Sequence, residues 1–224
     1  CHLRRQYKRS FLMKKKGYIA GSLFNEAEIS QRLLEGDLLR EFTGTKIDWF
    51  NPIEQPCNDK SDLPTAINIF KADTEAVIES DYIVADMTNN DTGVAMELGI
   101  AYGLQYAKAI LDEMFRNADP ELRQQINYLA NKHGIKNKNI YAVYSDIRMA
   151  NAGEYNGVKV PYGTNQYVVG GLECMNGYFA NTFKDALDEL VSDLRYEQMD
   201  MFVALDDYFD DEEDEETWQL TIED

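Results

Sequence analysis

Apolar residues fall into two alternating kinds of grouping along the chain. Short, nearly continuous runs occur in "GYIAGSLF" from Gly17, "KIDWFNP" from Lys46, "DYIVADM" from Asp81 and "NIYAVYSDI" from Asn139. Their length and their polar or proline borders predict buried strands. Between them the spacing becomes helical. "NEAEISQRLLEGDLLREF" places Ile29, Leu33, Leu38 and Phe42 on one side, and "LPTAINIFKADTEAVIES" does the same with Ile67, Phe70, Val77 and Ile78, with Pro64 near its start. "VAMELGIAYGLQYAKAILDEMF" and "PELRQQINYLANKHG" also read as helices, the second closed by Gly134. "MANAGEYNGVKVPYGTN" has turn chemistry, and "QYVVGGLECMNGYF" and "NTFKDALDELVSDLRYEQM" are predicted as helix again.

Strands alternating with helices predict an α/β fold, a doubly wound parallel sheet with helices on both faces. Helices over about 106–138 form an insertion, and further helices follow at the C-terminal end. Residues 14–198 are expected to form the domain. Residues 1–13 read as a disordered or extraneous basic extension, and residues 199–224 as an acidic tail. In open parallel sheets, ligands bind beyond the carboxyl ends of the strands. The polar stretches Tyr18 to Asn25, Asn51 to Asn58 and Asp86 to Glu97 all fall at such ends.

Composition narrows the function classes. No apolar run approaches the roughly 20 residues of a membrane span, and the basic N-terminal stretch lacks the apolar centre of a secretion signal. Cys1, Cys57 and Cys174 show no paired spacing, and with two histidines in the chain a Cys/His zinc site is not expected. Sparse, odd cysteines fit a reducing cytoplasm. The net charge of −18 disfavours nucleic acid as a partner. Much of that charge sits in "LDDYFDDEEDEETWQLTIED", which reads as a solvated end. Its Tyr208, Phe209 and Trp218 leave open docking on its own or a neighbouring subunit.

The candidate chemistry lies in carboxylates. In "DTGVAMELG", Asp91 can cap a helix, and Glu97 can either be a solvated acid favoured by the helix N-terminus or be aimed into a pocket. Glu97 is surrounded by small and apolar residues, an unusual setting for a solvated acid, and Asp73 on the preceding helix is a third carboxylate near the same strand edge. One nucleophilic and one proton-donating carboxyl are what cleavage at an acetal carbon needs. Other motifs fail. "GYIAG" is not G-x-G-x-x-G, there is no G-x-x-x-x-G-K-[ST], and Ser22 and Ser145 have no plausible histidine partner. Metal is not expected, because apolar spacers separate the acids and no phosphate cradle accompanies them.

Three motifs, "YIAGSLFN" at 18–25, "KADTEAVIESDYIVADM" at 71–87 and "DTGVAMELGIAYGL" at 91–104, together resemble the nucleoside 2-deoxyribosyltransferase family in order and spacing. The third carries the family's Asp-x-Gly and Glu-Leu-Gly signature, and "TNQYVVGG" at 164–171 is a weaker match. The resemblance implies a flavodoxin-like (Rossmann-like) fold and transfer of 2-deoxyribose from a deoxyribonucleoside to a free nucleobase, without a cofactor. It implies that Glu97 is the nucleophile and that Tyr18 positions it through its hydroxyl. Asp91 and Asp73 would contact base and sugar, one of them protonating the departing base. Phe24, Gln55, Gly93, Asn165 and Tyr167 would face substrate, with Asn165 reaching into a neighbouring subunit's site, so that a homo-oligomer shares its active sites. Phe24, Trp49, Phe50 and Tyr167 are aromatic candidates for stacking on the base.

The chain departs from the family pattern in its helical insertion and its acidic tail; neither touches Asp73, Asp91 or Glu97. Two alternatives remain. A hydrolase acting on nucleoside 5′-monophosphates resembles this chain too, but its relatives offer serines and an Arg after the first strand. Here that loop reads "GSLFN", and Asp91 stands where a phosphate-binding Ser is expected and would repel phosphate. A non-catalytic nucleoside sensor would have no need of the nucleophile.

Overall fold

Parallel strands β1 (Lys15–Ala20), β2 (Ile47–Phe50), β3 (Tyr82–Asp86), β4 (Asn139–Val143) and β7 (Tyr178–Ala180) make one sheet in the order β2-β1-β3-β4-β7. The structure, a computed structural model, describes residues 14–58, 64–146, 154–156, 158–159 and 164–216. The N-terminal extension expected at 1–13 and Trp218 of the tail lie outside the described residues. The helices are α1 (Glu26–Thr43), α2 (Ala66–Glu79), α3 (Thr92–Asn117), α4 (Pro120–Lys132), α5 (Gln166–Cys174) and α6 (Phe183–Glu216). A two-residue antiparallel ribbon, β5 (Glu154–Tyr155) with β6 (Val158–Lys159), turns at Asn156, whose φ is 53°.

The order is that of a flavodoxin-like doubly wound sheet, and the insertion expected at about 106–138 is helical, made by the end of α3 and by α4. Register runs Tyr18 opposite Phe50 on one side and Ile83 on the other, then Ile83 opposite Ile140. Side chains alternate between the faces of a strand. Tyr18, Ala20, Ile83, Ala85, Ile140 and Ala142 therefore share one face, in a core with Val77 of α2, Val94, Leu98 and Ala101 of α3 and Leu172 of α5. α1 covers the opposite face, where Trp49 donates its indole N–H to Thr43 at 3.0 Å. Trp49 lies against Gly17, where a Cβ would come within 2.3 Å of the indole ring. The chain divides at Ala186/Leu187; the sheet belongs to the first unit, and the second carries α6 onward to Glu216, into the acidic block.

Three sequence expectations need correction. The stretch 166–179 is not helical throughout, because α5 stops at Cys174 and Tyr178–Ala180 pairs with β4 as the fifth strand. Asn176, at φ 55°, ends the helix with its N–H bonded to Glu173 O, and Gly177 packs where a Cβ would meet Leu172 O at 3.1 Å. The buried face of α1 is also not the one its apolar residues predict. Leu33 and Phe42 are exposed, whereas Arg32, Glu35, Gly36, Leu39 and Thr43 are buried. On α2, Val77 is buried but Ile67 and Phe70 are exposed.

Candidate active site

The strand order reverses between β1 and β3, and the loops leaving these strands form the crevice where ligands bind in such folds. Local chemistry fixes both loops. Asn25 caps α1 by accepting from Glu28 N at 3.1 Å, while Glu28 accepts from Phe24 N at 2.8 Å, a reciprocal cap. Asp91 caps α3 by accepting from Gly93 N at 2.8 Å. Asn89 joins the two loops, its amide donating to Ser22 Oγ at 3.2 Å and to Glu28 at 2.9 Å.

Glu97 lies in the second turn of α3, facing back over the sheet. Tyr18, fully buried in β1, donates its hydroxyl to Glu97 Oε1 at 2.7 Å and stacks on Phe50 with ring centroids 5.7 Å apart. Burial pushes the Glu97 carboxyl up to about 7. The Tyr18 hydrogen bond works against that rise, and the negative charges of Asp73 and Asp91 add to it. Two further carboxylates, one from the preceding helix and one from the cap of α3, thus act on Glu97 at one edge of the sheet. A carboxyl balanced near neutrality can serve as a base or nucleophile when ionised and as an acid when protonated.

The other sequence candidates spread around this centre. Gly93 is exposed in the first turn of α3, and Phe24 stands 77% exposed in the loop after β1. Asn165 caps α5, accepting from Tyr167 N at 2.9 Å; it is exposed, and the Tyr167 side chain is 90% exposed. Gln55 donates to Asn51 O at 3.2 Å and lines a separate cleft of about 250 Å³ with Phe50 and Ala76. Of the aromatic candidates, Phe50 adjoins Tyr18, whereas Trp49 points to the α1 face. A second cavity, about 430 Å³, lies at the opposite end of β4 between Tyr106, Asn139 and Met175, and its lining contains no carboxylate.

Sequence reasoning did not single out Arg32. Buried on α1, its Nη2 donates to Glu35 Oε1 and to Asp86 Oδ2, each at 2.8 Å. Its guanidinium lies beneath the β1–α1 loop, where a Cβ on Gly21 would fall 1.9 Å from Nη1. Burial pushes Glu35 up to about 7, with Arg32 opposing the rise. The available signal was a small residue, Gly36, in mid-helix, marking a close-packed face that also holds Arg32 and Glu35.

The sequence profile described as nucleoside 2-deoxyribosyltransferase matches residues 18–161. An uncharacterized protein of Ureaplasma parvum serovar 3 is 32% identical over 129 residues, spanning 53% of this chain and 80% of that protein. Among solved structures, a conserved protein from Enterococcus faecalis V583 aligns with a TM-score of 0.54 at 27% identity, covering 81% of this chain and 99% of that one. A 2-desoxiribosyltransferase from Leishmania mexicana aligns at 16% identity with a TM-score of 0.44, covering 80% and 97%. Among the described residues, no helix is long and apolar enough to cross a membrane. The profile match takes in β1, α3 and β4 and extends over well over half of the 224 residues, and the chain belongs to the nucleoside 2-deoxyribosyltransferase family.

Proposed function

We propose that the protein transfers 2-deoxyribose between nucleobases through a covalent deoxyribosyl–Glu97 intermediate. The observation that carries this reading is the 2.7 Å bond from Tyr18 to one oxygen of a half-buried carboxylate that two further acids influence. With Oε1 held by Tyr18, Oε2 of Glu97 attacks the anomeric carbon. The carbon–nitrogen bond breaks as Asp73 or Asp91 protonates the departing base, and its electron pair leaves with the base. An incoming base then attacks the same carbon, gives up a proton, and releases the Glu97 carboxylate. The substrates are thus a deoxyribonucleoside and a free nucleobase. Asn165 and Tyr167, exposed on their own subunit, complete the site of a neighbouring copy.

Arg32 bears on the choice between nucleoside and nucleotide. It is the arginine nearest the first loop in sequence, but two carboxylates already engage it, and it offers no free positive charge to a phosphate. This favours an unphosphorylated substrate over the monophosphate hydrolase.

The test is incubation with deoxyinosine or thymidine plus free adenine, followed by chromatography. Formation of deoxyadenosine is expected, and Glu97→Ala is expected to abolish it while the fold is retained. Free deoxyribose without exchange would indicate a hydrolase, and no turnover of any nucleoside or nucleotide a sensor. Substantial residual exchange in Glu97→Ala would remove Glu97 as nucleophile.

A further inference from the structure

The buried charges beneath the two loops form a chain of contacts that leads into the site. Asp86, the last residue of β3, accepts from Arg32 through Oδ2 at 2.8 Å and from Thr88 N through Oδ1 at 2.9 Å. Thr88 in turn accepts at its hydroxyl from Ser145 N at 3.0 Å, and Met87 N donates to Val143 O at 2.9 Å, tying the loop after β3 to β4. The loop then passes through Asn90 in the left-handed region, at φ 51°, and ends at Asp91, the cap of the helix that carries Glu97. Five residues therefore separate the carboxylate anchored by Arg32 from the start of α3.

Chemistry makes this anchor hard to replace. The Arg32 and Asp86 side chains are 2% and 18% exposed, and Glu35, 4% exposed, shares the same guanidinium nitrogen. Removing the cation leaves two carboxylates facing each other with little water. One must then take a proton or turn outward. Either response alters Asp86, and with it the acceptor for Thr88 N. Asp86 can satisfy the guanidinium and the loop amide together because both its oxygens accept. An asparagine in its place has one accepting oxygen and one donating amide, and can serve only one of them.

We propose that Arg32 is a positioning residue, which through Asp86 fixes the loop Met87–Asp91 and hence the start of α3, and so sets where the Glu97 carboxylate stands relative to Tyr18. Its effect on turnover rests on the deoxyribosyl-transfer reading; its effect on the loop does not. Gly21 fits the same scheme, since a side chain there would push the guanidinium off both carboxylates.

The experiment compares Asp86→Asn, which is isosteric, with Arg32→Met, which keeps the stem, and with Glu35→Gln, which touches the same guanidinium but not the loop. Backbone amide hydrogen exchange is read on the full chain without substrate, and kcat and KM are read for base exchange. Asp86→Asn and Arg32→Met are expected to speed amide exchange at least tenfold across residues 87–95 and to leave the strand β1 amides unchanged. They are expected to lower kcat tenfold or more, since a displacement of about 1 Å at a reacting group can change rates by about a hundredfold. Glu35→Gln should leave amide exchange across 87–95 at the parental rate and kcat within twofold. Combining Arg32→Met with Asp86→Asn should lower kcat no further than the worse single change, because both act through one contact. Parental amide exchange across 87–95 in Asp86→Asn overturns the inference. So does a Glu35→Gln variant that loses as much kcat as Asp86→Asn. A parent protein that exchanges no base counts against the transfer reading alone, and the amide-exchange result then decides the positioning role.

Discussion

At the Glu97 carboxyl, burial and the proposed nucleophilic role make opposite demands. On that reading, attack on the anomeric carbon needs the ionised form, while the half-buried setting favours the protonated form and pushes the group up to about 7. With ionisation rising through that value, the kcat/KM for base exchange is expected to fall on the acid side about tenfold per pH unit. Neighbouring groups set the midpoint in opposite senses. Tyr18→Phe removes the bond that favours the charged form and should move the acid limb above its parental position. Asp73→Asn removes a negative charge that disfavours it, and should move the limb lower whatever the loss in maximal rate. Rate profiles between pH 5 and 9 for the three proteins check this. Shifts in one direction for both variants would sink the electrostatic account of the site.

At the scale of elements, several helix ends carry capping residues in the chain, although the ends of α5 and α6 were misjudged, and the helix faces were not legible. Asn25, Asp91, Asp119 and Asn165 each accept a bond from the first turn that follows, and Gly134 ends α4 with φ 62°. Gly134 has a second reason to be glycine, since a Cβ there would stand 2.6 Å from Ile78 Cγ2 and 2.9 Å from Ile78 O. Gly134→Ala combines a left-handed backbone with a clash against α2, and should destabilise the protein by about 2 kcal/mol or more in urea unfolding. A change below about 0.5 kcal/mol would show that the loop can move aside. The face of α1 misled because hydrophobic periodicity assumes that what is buried is apolar. The buried face here holds an ion cluster with Gly36, Leu39 and Thr43, and Leu33, Leu34 and Phe42 lie outward. β7 was hidden for another reason. Three residues are too few to show a period, and their place as the fifth strand comes from pairing with β4, a contact no local window contains. The carboxylates were legible because their motifs are contiguous; the contact between Tyr18 and Glu97, which spans 79 positions, was reached only through the family resemblance, and that between Arg32 and Asp86, which spans 54, was not reached.

At the scale of the molecule, the first unit leaves a large amount of apolar surface in water. On α3, Met96, Tyr102, Tyr106, Ile110 and Met114 recur at helical spacing on the exposed side, and Tyr102 stacks on Tyr106 with centroids 6.4 Å apart. A stripe of this kind is a candidate interaction surface. On the proposed reading a second copy covers it, and the exposed Asn165 and Tyr167 serve a neighbour's site. Tyr106→Asp should then lower the oligomeric state in sedimentation and reduce base exchange together. The sharper test separates a shared site from a mere dimer. Glu97→Ala and Asn165→Ala proteins are each prepared alone, both with reduced exchange, then mixed and allowed to trade subunits. If each site takes Glu97 from one copy and Asn165 from the other, a mixed pair contains one doubly altered site and one intact site. Random pairing makes half the dimers mixed, so activity should recover to about a quarter of the parental level per site, by symmetry. If both residues act within one chain, mixing leaves every site with its original defect. Activity that stays at the average of the two separate proteins, with subunit exchange verified by mass, would return Asn165 to its own subunit and leave the apolar stripe as a contact that does not build the active site.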